Sequence, residues 1–342
     1  MKACIFHGPG NLSIEELPIP TPGPGEVLIK AQAASLCFSD IRVYKGEKAA
    51  NSGVVIGHEA AGVVVQVGKG VTKVREGDVV AVCPVVACGR CYFCVRGKQN
   101  RCVDRWTLGY QGNGALAEYI LAPEPLVSQG HLLKVPSGMP ADLAAMVEPF
   151  ACALYSLEVC RVQHGGTLAI IGSGPMGLIH LLIARAIGCA TIIVSDPLED
   201  RLAIAQELGA TATVNPTRDD LHKTVLELTD GLGVDAAIIS VGNVAAIQSG
   251  LRVVRKQGFV NIFGGLPPGS VLPLDPNLIH YDELFLTGTQ NAPTDQYARA
   301  VPLLASIPQA RRLITHRFPI ADAPKAFEAR MAMAGLKTMI DF

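Results

Sequence analysis

Hydrophobic and polar positions divide the chain into two kinds of pattern. Up to about residue 150, short apolar runs rich in β-branched residues, such as 26–34 and Val79–Val82, are separated by glycine and proline turns. Such runs are typical of buried strands. Beyond that point, apolar strands such as Thr191–Ser195 alternate with helical segments such as Pro175–Ile187. The alternation predicts βαβ units, and hence an α/β chain in which a doubly wound parallel sheet follows a strand-rich domain.

Two candidate zinc ligands stand side by side between valine-rich runs. A buried histidine is more often a packed core residue than a ligand, but His58 and Glu59 are preceded by Cys37, 21 residues before His58, and followed later by Glu148. Cys, His and Glu form a zinc ligand set, and three protein ligands with one exchangeable position are typical of catalytic zinc. We therefore predict a catalytic zinc site from Cys37, His58 and a carboxylate, Glu59 or Glu148. The alternative for Glu148 is a helix-start carboxylate that the helix dipole favours.

A second metal signal lies in one short loop. Four cysteines follow the spacing C-x2-C-x2-C-x7-C, and basic residues interleave with them. Four thiolates make a closed tetrahedral zinc site, which is structural because no position remains for a substrate. A pair of disulfides is the alternative. We predict that the structural zinc is bound by Cys88, Cys91, Cys94 and Cys102.

A glycine-rich turn marks the start of the second domain. An apolar strand ends in Gly172-Ser-Gly-Pro-Met-Gly177, and a helix follows it directly. In a dinucleotide-binding turn the first glycine permits the bend, the second admits the pyrophosphate and the third lets the helix pack on the strand. The predicted cofactor contacts here are Gly172, Gly174, Pro175, Met176 and Gly177.

The choice between NAD and NADP depends on the end of the next strand. Asp196 stands there, and a carboxylate at this position accepts hydrogen bonds from the ribose hydroxyls and repels a 2′-phosphate. Arg201, five residues on, favours a 2′-phosphate unless it pairs with Glu199 or Asp200. We predict NAD, with Asp196 and Arg201 both at the cofactor.

The later strands of the second domain end in small residues. Ligands of such sheets bind beyond the carboxyl ends of the strands. The segments that follow strands 234–240 and 259–263 are therefore expected to line the nicotinamide site. The residues concerned are Ser240, Val241, Gly242, Phe263, Gly264 and Gly265.

The glycine pattern around His58 carries a resemblance to a known family. Gly57-His58-Glu59-x2-Gly62-x5-Gly68-x2-Val71 resembles the zinc signature of the medium-chain alcohol dehydrogenases, and the likeness covers essentially the whole chain. It implies a GroES-like catalytic domain over residues 1–150, completed by about 287–342, and a Rossmann domain over 151–286. It also implies a homodimer or homotetramer.

The resemblance assigns roles to single residues. It implies that Cys37 is the first zinc ligand, that Ser39 hydrogen-bonds the alcohol oxygen, and that Asp40 orients His58. It places Lys337 against the cofactor pyrophosphate. Many relatives carry a histidine that relays the proton where this chain has Arg42, and a guanidinium cannot act as a base near neutral pH. Arg42 is therefore predicted either to contact a cofactor phosphate or substrate anion, or to lie on the surface.

These features together imply an oxidoreductase that uses zinc as a Lewis acid and NAD as hydride acceptor. The segment from Glu148 to Cys152 resembles the polyol, or sorbitol-type, branch, and Val85 stands where threonine dehydrogenases usually have a histidine. The expected substrate is thus a secondary hydroxyl of a polyol or sugar alcohol. L-Threonine 3-dehydrogenase or another secondary-alcohol dehydrogenase is the alternative. A zincless, quinone-reductase-like or non-catalytic relative is the remote one, because such proteins lack the Cys37, His58 and Glu148 set.

Composition narrows the class of partner. The 342 residues are 49% hydrophobic, with 29 basic and 30 acidic side chains and a net charge of −1. This near-neutral balance gives no reason to expect nucleic acid or an anionic membrane as a partner. The first ten residues lack the apolar core of a signal peptide. We therefore expect a cytoplasmic enzyme that acts on a small alcohol.

Overall fold

The computed structural model describes the whole chain, Met1–Phe342. Residue contacts divide it into two units, the first comprising Met1–Ala151 and Ala292–Phe342 and the second Cys152–Asn291. The first unit thus takes back the end of the chain after the second unit is complete. The predicted boundaries are 150/151 and 286/287, a few residues from these divisions.

Strands dominate the first unit and alternate with helices in the second. The strands are β1 (Lys2–Gly8), β2 (Asn11–Glu16), β3 (Val27–Leu36), β4 (Val54–Val55), β5 (Glu59–Val67), β6 (Val79–Val82), β7 (Val85–Val86), β8 (Trp106–Thr107), β9 (Tyr119–Ala122), β10 (Leu132–Lys134), β11 (Thr167–Ile171), β12 (Thr191–Ser195), β13 (Ala212–Val214), β14 (Val234–Ile239), β15 (Val254–Ile262), β16 (Phe285–Gly288), β17 (Ile314–Pro319) and β18 (Lys337–Asp341).

The helices are α1 (Phe38–Tyr44), α2 (Glu124–Ser128), α3 (Ala141–Ala144), α4 (Val147–Val159), α5 (Pro175–Ile187), α6 (Glu199–Glu207), α7 (Leu221–Leu228), α8 (Val244–Val253), α9 (Pro276–Asp282), α10 (Thr294–Ala305) and α11 (Ala323–Met331). Short 3-10 turns occupy Cys94–Arg96, Gln99–Arg101, Pro308–Leu313 and Ile320–Asp322. None of the helices combines the length and the apolarity that a membrane span requires.

The main sheet of the first unit is built around β3. Its order is β10-β6-β5-β3-β18-β17, and β9 pairs with β3 as well. β9 pairs with the first half of β3 and β18 with its second half, so the two strands share one edge of β3. The last strand of the chain thereby lies beside the strand that leads to Cys37. The side chains of this sheet contribute to a buried core that includes Ile29, Leu36, Ile41 and Phe327.

The second unit contains one parallel sheet of six strands. Its order is β13-β12-β11-β14-β15-β16, the doubly wound order of a dinucleotide-binding domain. Ile171 pairs with both Ser195 and Ile239, and Ile239 pairs with Ile262. The carboxyl ends of β11, β12, β14 and β15 therefore lie level with one another, and the segments that follow them meet at one edge of the sheet.

Helix α5 has the bounds that its sequence predicts. It begins at Pro175, directly after Gly174, and ends at Ile187, before Gly188, which adopts a left-handed backbone with φ +90°. Proline suits the first turn of a helix, and glycine suits the position that ends it. The structure differs from prediction at β15, which begins at Val254 rather than at 259. The exposed polar residues Lys256 and Gln257 hide that early part of the strand in the sequence.

Candidate active site

Three predicted ligands meet in the first unit. The ligand atoms of Cys37, His58 and Glu59 all lie within 4.8 Å of one another. Cys37 stands at the start of α1, where β3 has just ended, and the His58–Glu59 pair begins the neighbouring strand β5. Residue Ser35 of β3 pairs with Glu59 of β5 in the sheet. The sheet register thus brings the cysteine loop and the His-Glu pair together.

Asp40 fixes the orientation of His58. Its carboxylate is fully buried and accepts a hydrogen bond from His58 Nδ1 over 2.8 Å, while the backbone N–H of Cys37 donates to its other oxygen over 3.0 Å. A proton held at Nδ1 leaves the lone pair of Nε2 for a metal. Burial lowers the pKa of His58, but the charge and hydrogen bond of Asp40 raise that pKa well above its usual value.

A serine and a tyrosine border the same group. Ser39 Oγ lies 3.1 Å from Cys37 Sγ and 3.5 Å from His58 Nε2, and it forms a 2.7 Å hydrogen bond with the Tyr110 hydroxyl. That hydroxyl also lies 3.1 Å from His58 Nδ1. The Ser39 hydroxyl is therefore next to the two atoms that a metal would use, as its predicted role requires.

Close backbone packing brings Tyr110 to this position. Gly109, with φ +83°, lies so near the Gly57 carbonyl that a Cβ there would be 2.3 Å from its oxygen. Ala115 and Leu116 donate backbone hydrogen bonds to Gly57 and Ile56 over 2.9 Å. The loop between Gly109 and Ala115 is thereby held against the backbone that precedes His58.

Two polar side chains hold the Glu59 carboxylate in place. One of its oxygens accepts hydrogen bonds from the Ser35 hydroxyl and the Lys337 ammonium, and the other oxygen is buried without any hydrogen-bond partner. Lys337 is only 3% exposed. Its contact with the cofactor pyrophosphate stays a prediction, and the contact that the structure shows for the ammonium is the one with Glu59.

The donor set fits zinc. A buried carboxylate oxygen without a hydrogen-bond partner is costly unless a cation occupies the space before it. Glu59, which has this unpartnered oxygen, belongs to the same group as Cys37 and His58. Sulfur, imidazole and carboxylate are the ligands that zinc takes. These three side chains would therefore hold the ion.

Glu148 lies near this group, in the first turn of α4, and is 8% exposed. Its negative charge acts on Lys48 and on Tyr110. The structure thus places Glu148 within electrostatic range of the site, while Glu59 is the carboxylate that the geometry groups with Cys37 and His58.

Arg42 forms an ion pair with Glu47. Its Nε lies 3.4 Å from a carboxylate oxygen of Glu47, and its side chain is one-third exposed. Of the alternatives predicted for Arg42, this arrangement fits the surface arginine.

The four loop cysteines form a second compact group. Cys91 Sγ lies 3.5 Å and Cys88 Sγ 3.9 Å from Cys94 Sγ, and all ten cysteines of the chain are free of disulfides. Sulfurs at the corners of a zinc tetrahedron are about 3.8 Å apart, because each Zn–S bond is about 2.3 Å long. Backbone N–H groups of Cys94 and Val103 lower the pKa of Cys91 to about 6. The loop therefore presents sulfurs at zinc spacing and stabilises a thiolate.

The glycine motif of the second unit leaves room for a ligand at one glycine only. A Cβ at Gly177 would lie 1.8 Å from the Gly172 carbonyl oxygen, so both glycines serve the packing of α5 on β11. At Gly174 the nearest atom would be Arg201 Nη1, 3.8 Å away. The space above Gly174 is where the fold admits a pyrophosphate, at the start of a helix that favours negative charge.

Asp196 and Arg201 both face this motif. The Asp196 carboxylate accepts backbone hydrogen bonds from Ser173 over 2.7 Å and from Leu198 over 2.9 Å, which fixes it at the end of β12. Each oxygen keeps a lone pair for a further donor. Arg201 does not pair with the neighbouring carboxylates, since Glu199 binds Arg218 over 3.0 Å. The guanidinium therefore lies near Gly174 with a charge that favours a phosphate.

The other predicted cofactor residues follow β14 and β15. The backbones around Val241–Gly242 and Gly264–Gly265 touch, since a Cβ at Gly242 would lie 2.3 Å from the Gly265 carbonyl oxygen. Phe263 packs edge-on against the ring of His180 at 4.7 Å, beside the glycine motif helix. The side chain of Ser240 is buried with its hydroxyl unpartnered. These segments therefore share one edge of the sheet with Gly172 and Asp196.

Four polar residues of the site carry no local sequence signal. Tyr110 reaches it from a glycine-rich loop, Ser35 from within a strand, and Lys48 from beyond α1; Lys337 comes from the last strand. Side chains alternate along β3, so Ser35 and Cys37 lie on the same side of the chain. This alternation is the only sequence signal that could have placed Ser35 at the site.

Two family models match the chain. The alcohol dehydrogenase GroES-like domain matches residues 23–136, and the zinc-binding dehydrogenase domain matches residues 175–306. Sorbitol dehydrogenase of Bacillus subtilis (strain 168) is 34% identical over 99% of this chain and 97% of its own length. L-Threonine 3-dehydrogenase of Bacillus licheniformis is 36% identical over 96% of this chain and 95% of its own.

Solved structures agree with this assignment. The crystal structure of a zinc-binding dehydrogenase from Sinorhizobium meliloti 1021, bound to NADP, superimposes with a TM-score of 0.93 and 30% identity, and covers 100% of this chain and 99% of the other. Both candidate zinc clusters lie in the first matched segment, and all strands of the dinucleotide-binding sheet except β11 lie in the second. The chain belongs to the zinc-binding medium-chain alcohol dehydrogenase family, and it is an oxidoreductase of the branch that includes sorbitol dehydrogenase.

Proposed function

We propose that the chain is an NAD-dependent dehydrogenase that oxidises a secondary hydroxyl of a polyol or sugar alcohol to a ketone. The observation that carries the proposal is the group of Cys37, His58 and Glu59, with the Ser39 hydroxyl 3.1 Å from the Cys37 sulfur. A zinc ion held there would act as a Lewis acid toward the substrate hydroxyl. The nicotinamide would accept the hydride.

The side chains around the metal position handle the proton. Ser39 Oγ can accept a hydrogen bond from the substrate hydroxyl while it donates one to the Tyr110 oxygen, 2.7 Å away, and the proton that the alcohol releases would pass through Ser39 and the cofactor ribose to water. Asp40 keeps His58 in the tautomer that binds metal and prevents rotation of the ring. Arg42, paired with Glu47, takes no part in this transfer.

NAD is the proposed cofactor because of Asp196. A carboxylate fixed at the end of β12 accepts ribose hydroxyls and repels a 2′-phosphate. Arg201, beside Gly174, supports NADP, and the Sinorhizobium meliloti relative was crystallised with NADP. We weigh the fixed, buried carboxylate above the half-exposed arginine.

Oxidation of L-threonine at its secondary hydroxyl is the second candidate. It is supported by the B. licheniformis relative, which matches this chain as fully as sorbitol dehydrogenase does. Threonine and sorbitol both present a secondary hydroxyl to a metal, so the same site chemistry serves either. The difference must lie in the side chains that bind the rest of the substrate.

A screen of purified, zinc-replete enzyme tests the proposal. Sorbitol, xylitol, 2,3-butanediol and L-threonine are each supplied with NAD and with NADP, and reduced cofactor is followed at 340 nm. Oxidation of a polyol with a higher kcat/KM than threonine, and with NAD, is the expected result. A clear preference for threonine would make the amino acid, and not a polyol, the substrate. An enzyme with full zinc content that oxidises none of these alcohols would contradict the proposed dehydrogenase function.

The same proposal includes the setting in which the enzyme works. We expect a homodimer or homotetramer located in the cytoplasm. Light scattering of the purified protein measures the number of subunits, and a monomer at micromolar concentration would contradict this part of the proposal.

A further inference from the structure

A cavity of about 430 Å³ lies in the second unit, at the edge of the parallel sheet opposite the glycine motif. Thr167, Asp235 and Phe285, at the amino ends of β11, β14 and β16, contribute to its lining. The glycine motif follows the carboxyl end of β11, and the five residues of that strand span about 15 Å. The cavity has the size of a small-molecule site and is separate from the space above Gly174.

Two stacked phenylalanines form one wall of this cavity. Phe259 of β15 pairs with Phe285 of β16 in the sheet, and their rings lie 4.6 Å apart and 11° from parallel. Phe285 is 46% exposed although it is large and apolar. An apolar group of a ligand that covered this ring would remove its surface from water, which is favourable.

One ion pair of the lining is complete within the protein. Arg255 Nε donates a hydrogen bond to one oxygen of Asp235 over 2.8 Å, and Thr167 donates to the other oxygen from its backbone N–H over 2.6 Å and from its hydroxyl over 2.9 Å. Burial raises the pKa of Asp235, but these partners lower it below its usual value overall. Asp235 is therefore an ionised carboxylate whose charge Arg255 already balances.

The other two charged groups of the lining have no ion-pair partner. The Arg161 guanidinium lies 5.4 and 5.9 Å from the centres of the Phe259 and Phe285 rings and pairs with no carboxylate. The Glu283 carboxylate, two positions before Phe285, accepts one hydrogen bond, from the Gln257 amide over 2.6 Å, and pairs with no cation. The cavity thus presents one unpaired positive and one unpaired negative charge beside the same aromatic wall.

The backbone at this cavity is strained at three of the lining residues. Six residues other than glycine have a left-handed backbone in this chain, and Arg161, Gln257 and Glu283 are three of them, with φ of +54°, +59° and +51°. Glycine adopts this conformation at no steric cost. Strain of this kind persists where a side chain has a function, and here it concentrates on the two unpaired charges and the amide that contacts one of them.

We propose that this cavity binds a free amino acid with an apolar side chain. The carboxylate of the ligand would bind Arg161, its ammonium group would bind Glu283, and its side chain would cover Phe285. A ligand with both charges matches the lining, whereas a simple anion would meet Glu283 and a simple cation would meet Arg161. The site goes beyond the proposed function, because it uses neither the zinc ligands nor the glycine motif, and its test requires no turnover.

Calorimetric titration of the zinc-loaded, full-length protein tests the site. The probes are L-phenylalanine, 3-phenylpropionate, which lacks the ammonium group, and 2-phenylethylamine, which lacks the carboxylate. L-Phenylalanine is expected to bind with a Kd of about 1 mM or lower, and each of the other two at least about tenfold more weakly, the scale of one charge-assisted hydrogen bond. Saturating NADH should leave these constants unchanged, because the glycine motif lies at the other edge of the sheet.

Two substitutions should change this selectivity in opposite ways. Arg161→Gln should remove the preference for L-phenylalanine over 2-phenylethylamine and keep the preference over 3-phenylpropionate. Glu283→Gln should do the reverse. The matched control is Arg252→Gln, at an exposed arginine in the last turn of α8 that does not line the cavity, and this variant should bind all three probes as wild type does.

Two outcomes overturn the proposal. One is a wild-type protein that binds no L-phenylalanine below about 10 mM, or binds all three probes equally, and this result decides even where a variant fails to fold. If no probe binds and Phe285→Ser lowers the mass measured by light scattering, the ring belongs to a subunit contact instead. The other outcome is binding that NADH abolishes, or that neither Arg161→Gln nor Glu283→Gln alters, because the amino acid would then occupy a different site.

Discussion

Lys337 and Glu59, 278 positions apart in the chain, form a buried ion pair beneath the candidate metal site. The two side chains are 3% and 0% exposed. The pair exists because β18 and β5 flank β3 in one sheet. It holds one carboxylate oxygen in place, while the other has no hydrogen-bond partner.

The first prediction follows from this pair. Lys337→Met leaves the Glu59 charge buried without its partner, so the free energy of unfolding should fall by about 3–5 kcal/mol. Adding Glu59→Gln should recover much of the stability but not the catalytic zinc. Urea unfolding and zinc analysis measure both effects, with the exposed Lys325→Met as control. Weaker NAD binding at unchanged stability would instead support the predicted contact of Lys337 with the cofactor pyrophosphate.

The two metal groups should respond differently to mutation. Freshly prepared protein is expected to contain two zinc ions per chain. Cys94→Ser should remove the structural ion and lower the thermal midpoint, because the loop has little other core. His58→Asn should remove the catalytic ion with a smaller effect on stability. Metal analysis with differential scanning calorimetry tests this, and Cys189→Ser, outside both groups, serves as control. One ion per chain in wild type would contradict the prediction.

Cofactor choice should depend on Asp196. Asp196→Ala removes both the ribose acceptor and the repulsive charge, so the ratio of kcat/KM for NAD over NADP should fall about tenfold or more. Arg201→Ala should raise the same ratio. The exposed Asp200→Ala is the matched control for a lost carboxylate. A wild-type enzyme that prefers NADP would show that Arg201 outweighs Asp196.

Replacement of Ser39 should change the kinetic constants far more than replacement of Arg42. Ser39→Ala should lower kcat for alcohol oxidation by about 100-fold, the usual scale for a positioned proton-transfer group. Arg42→His should leave kcat and both KM values near wild type, because Arg42 pairs with Glu47. Initial-rate kinetics between pH 6 and pH 9 compare Ser39→Ala and Arg42→His with wild type, at pH values where both variants stay folded. A raised KM for NAD in Arg42→His would assign it a phosphate contact.

A buried carboxylate should govern stability in acid. Asp142 accepts hydrogen bonds from Arg311 over 2.8 Å and from Arg317 over 2.9 Å. Burial raises the pKa of Asp142, but these two arginines lower it below its usual value overall. Its stabilisation is thus present above the unfolded pKa and is lost as the pH falls through the folded one.

Asp142→Asn should therefore cost about 1–3 kcal/mol at pH 7 and progressively less below about pH 4. Urea unfolding across this range measures the difference from wild type. The exposed Asp219→Asn, whose arginine partner is also exposed, should change stability by less than about 1 kcal/mol. A penalty for Asp142→Asn that does not change with pH would contradict the charge assignment.

Features that depend on neighbours in sequence were the ones that could be predicted. The cysteine spacing, the glycine motif and the bounds of α5 follow from local rules for metal loops, turns and caps. The His58–Glu59 pair was predicted to bind metal because Cys37 precedes it and Glu148 follows it, and the structure places Cys37 in the same group. These signals also carry the family, and with it the doubly wound order of the second unit.

Contacts between distant strands and loops could not be predicted. The sequence does not show that Lys337 meets Glu59, because the position of β18 beside β3 is set by the whole sheet. It does not show that Lys48 lies over Tyr110, since the Tyr110 loop is placed by the packing of Gly109 on Gly57. The resemblance predicts a pyrophosphate contact for Lys337, but a family position does not reveal its partner Glu59 within the sheet.

The place of β18 in the sheet affects how this protein is made. On the ribosome, the second half of β3 emerges some three hundred residues before the strand that pairs with it. During that interval the nascent chain exposes an open strand edge and a Glu59 carboxylate without its lysine partner. The second unit is continuous in sequence, so it can fold before β18 is made. We therefore expect chaperones that cover strand edges to bind this chain until β18 has emerged and paired with β3, and zinc to enter the catalytic site only after that pairing.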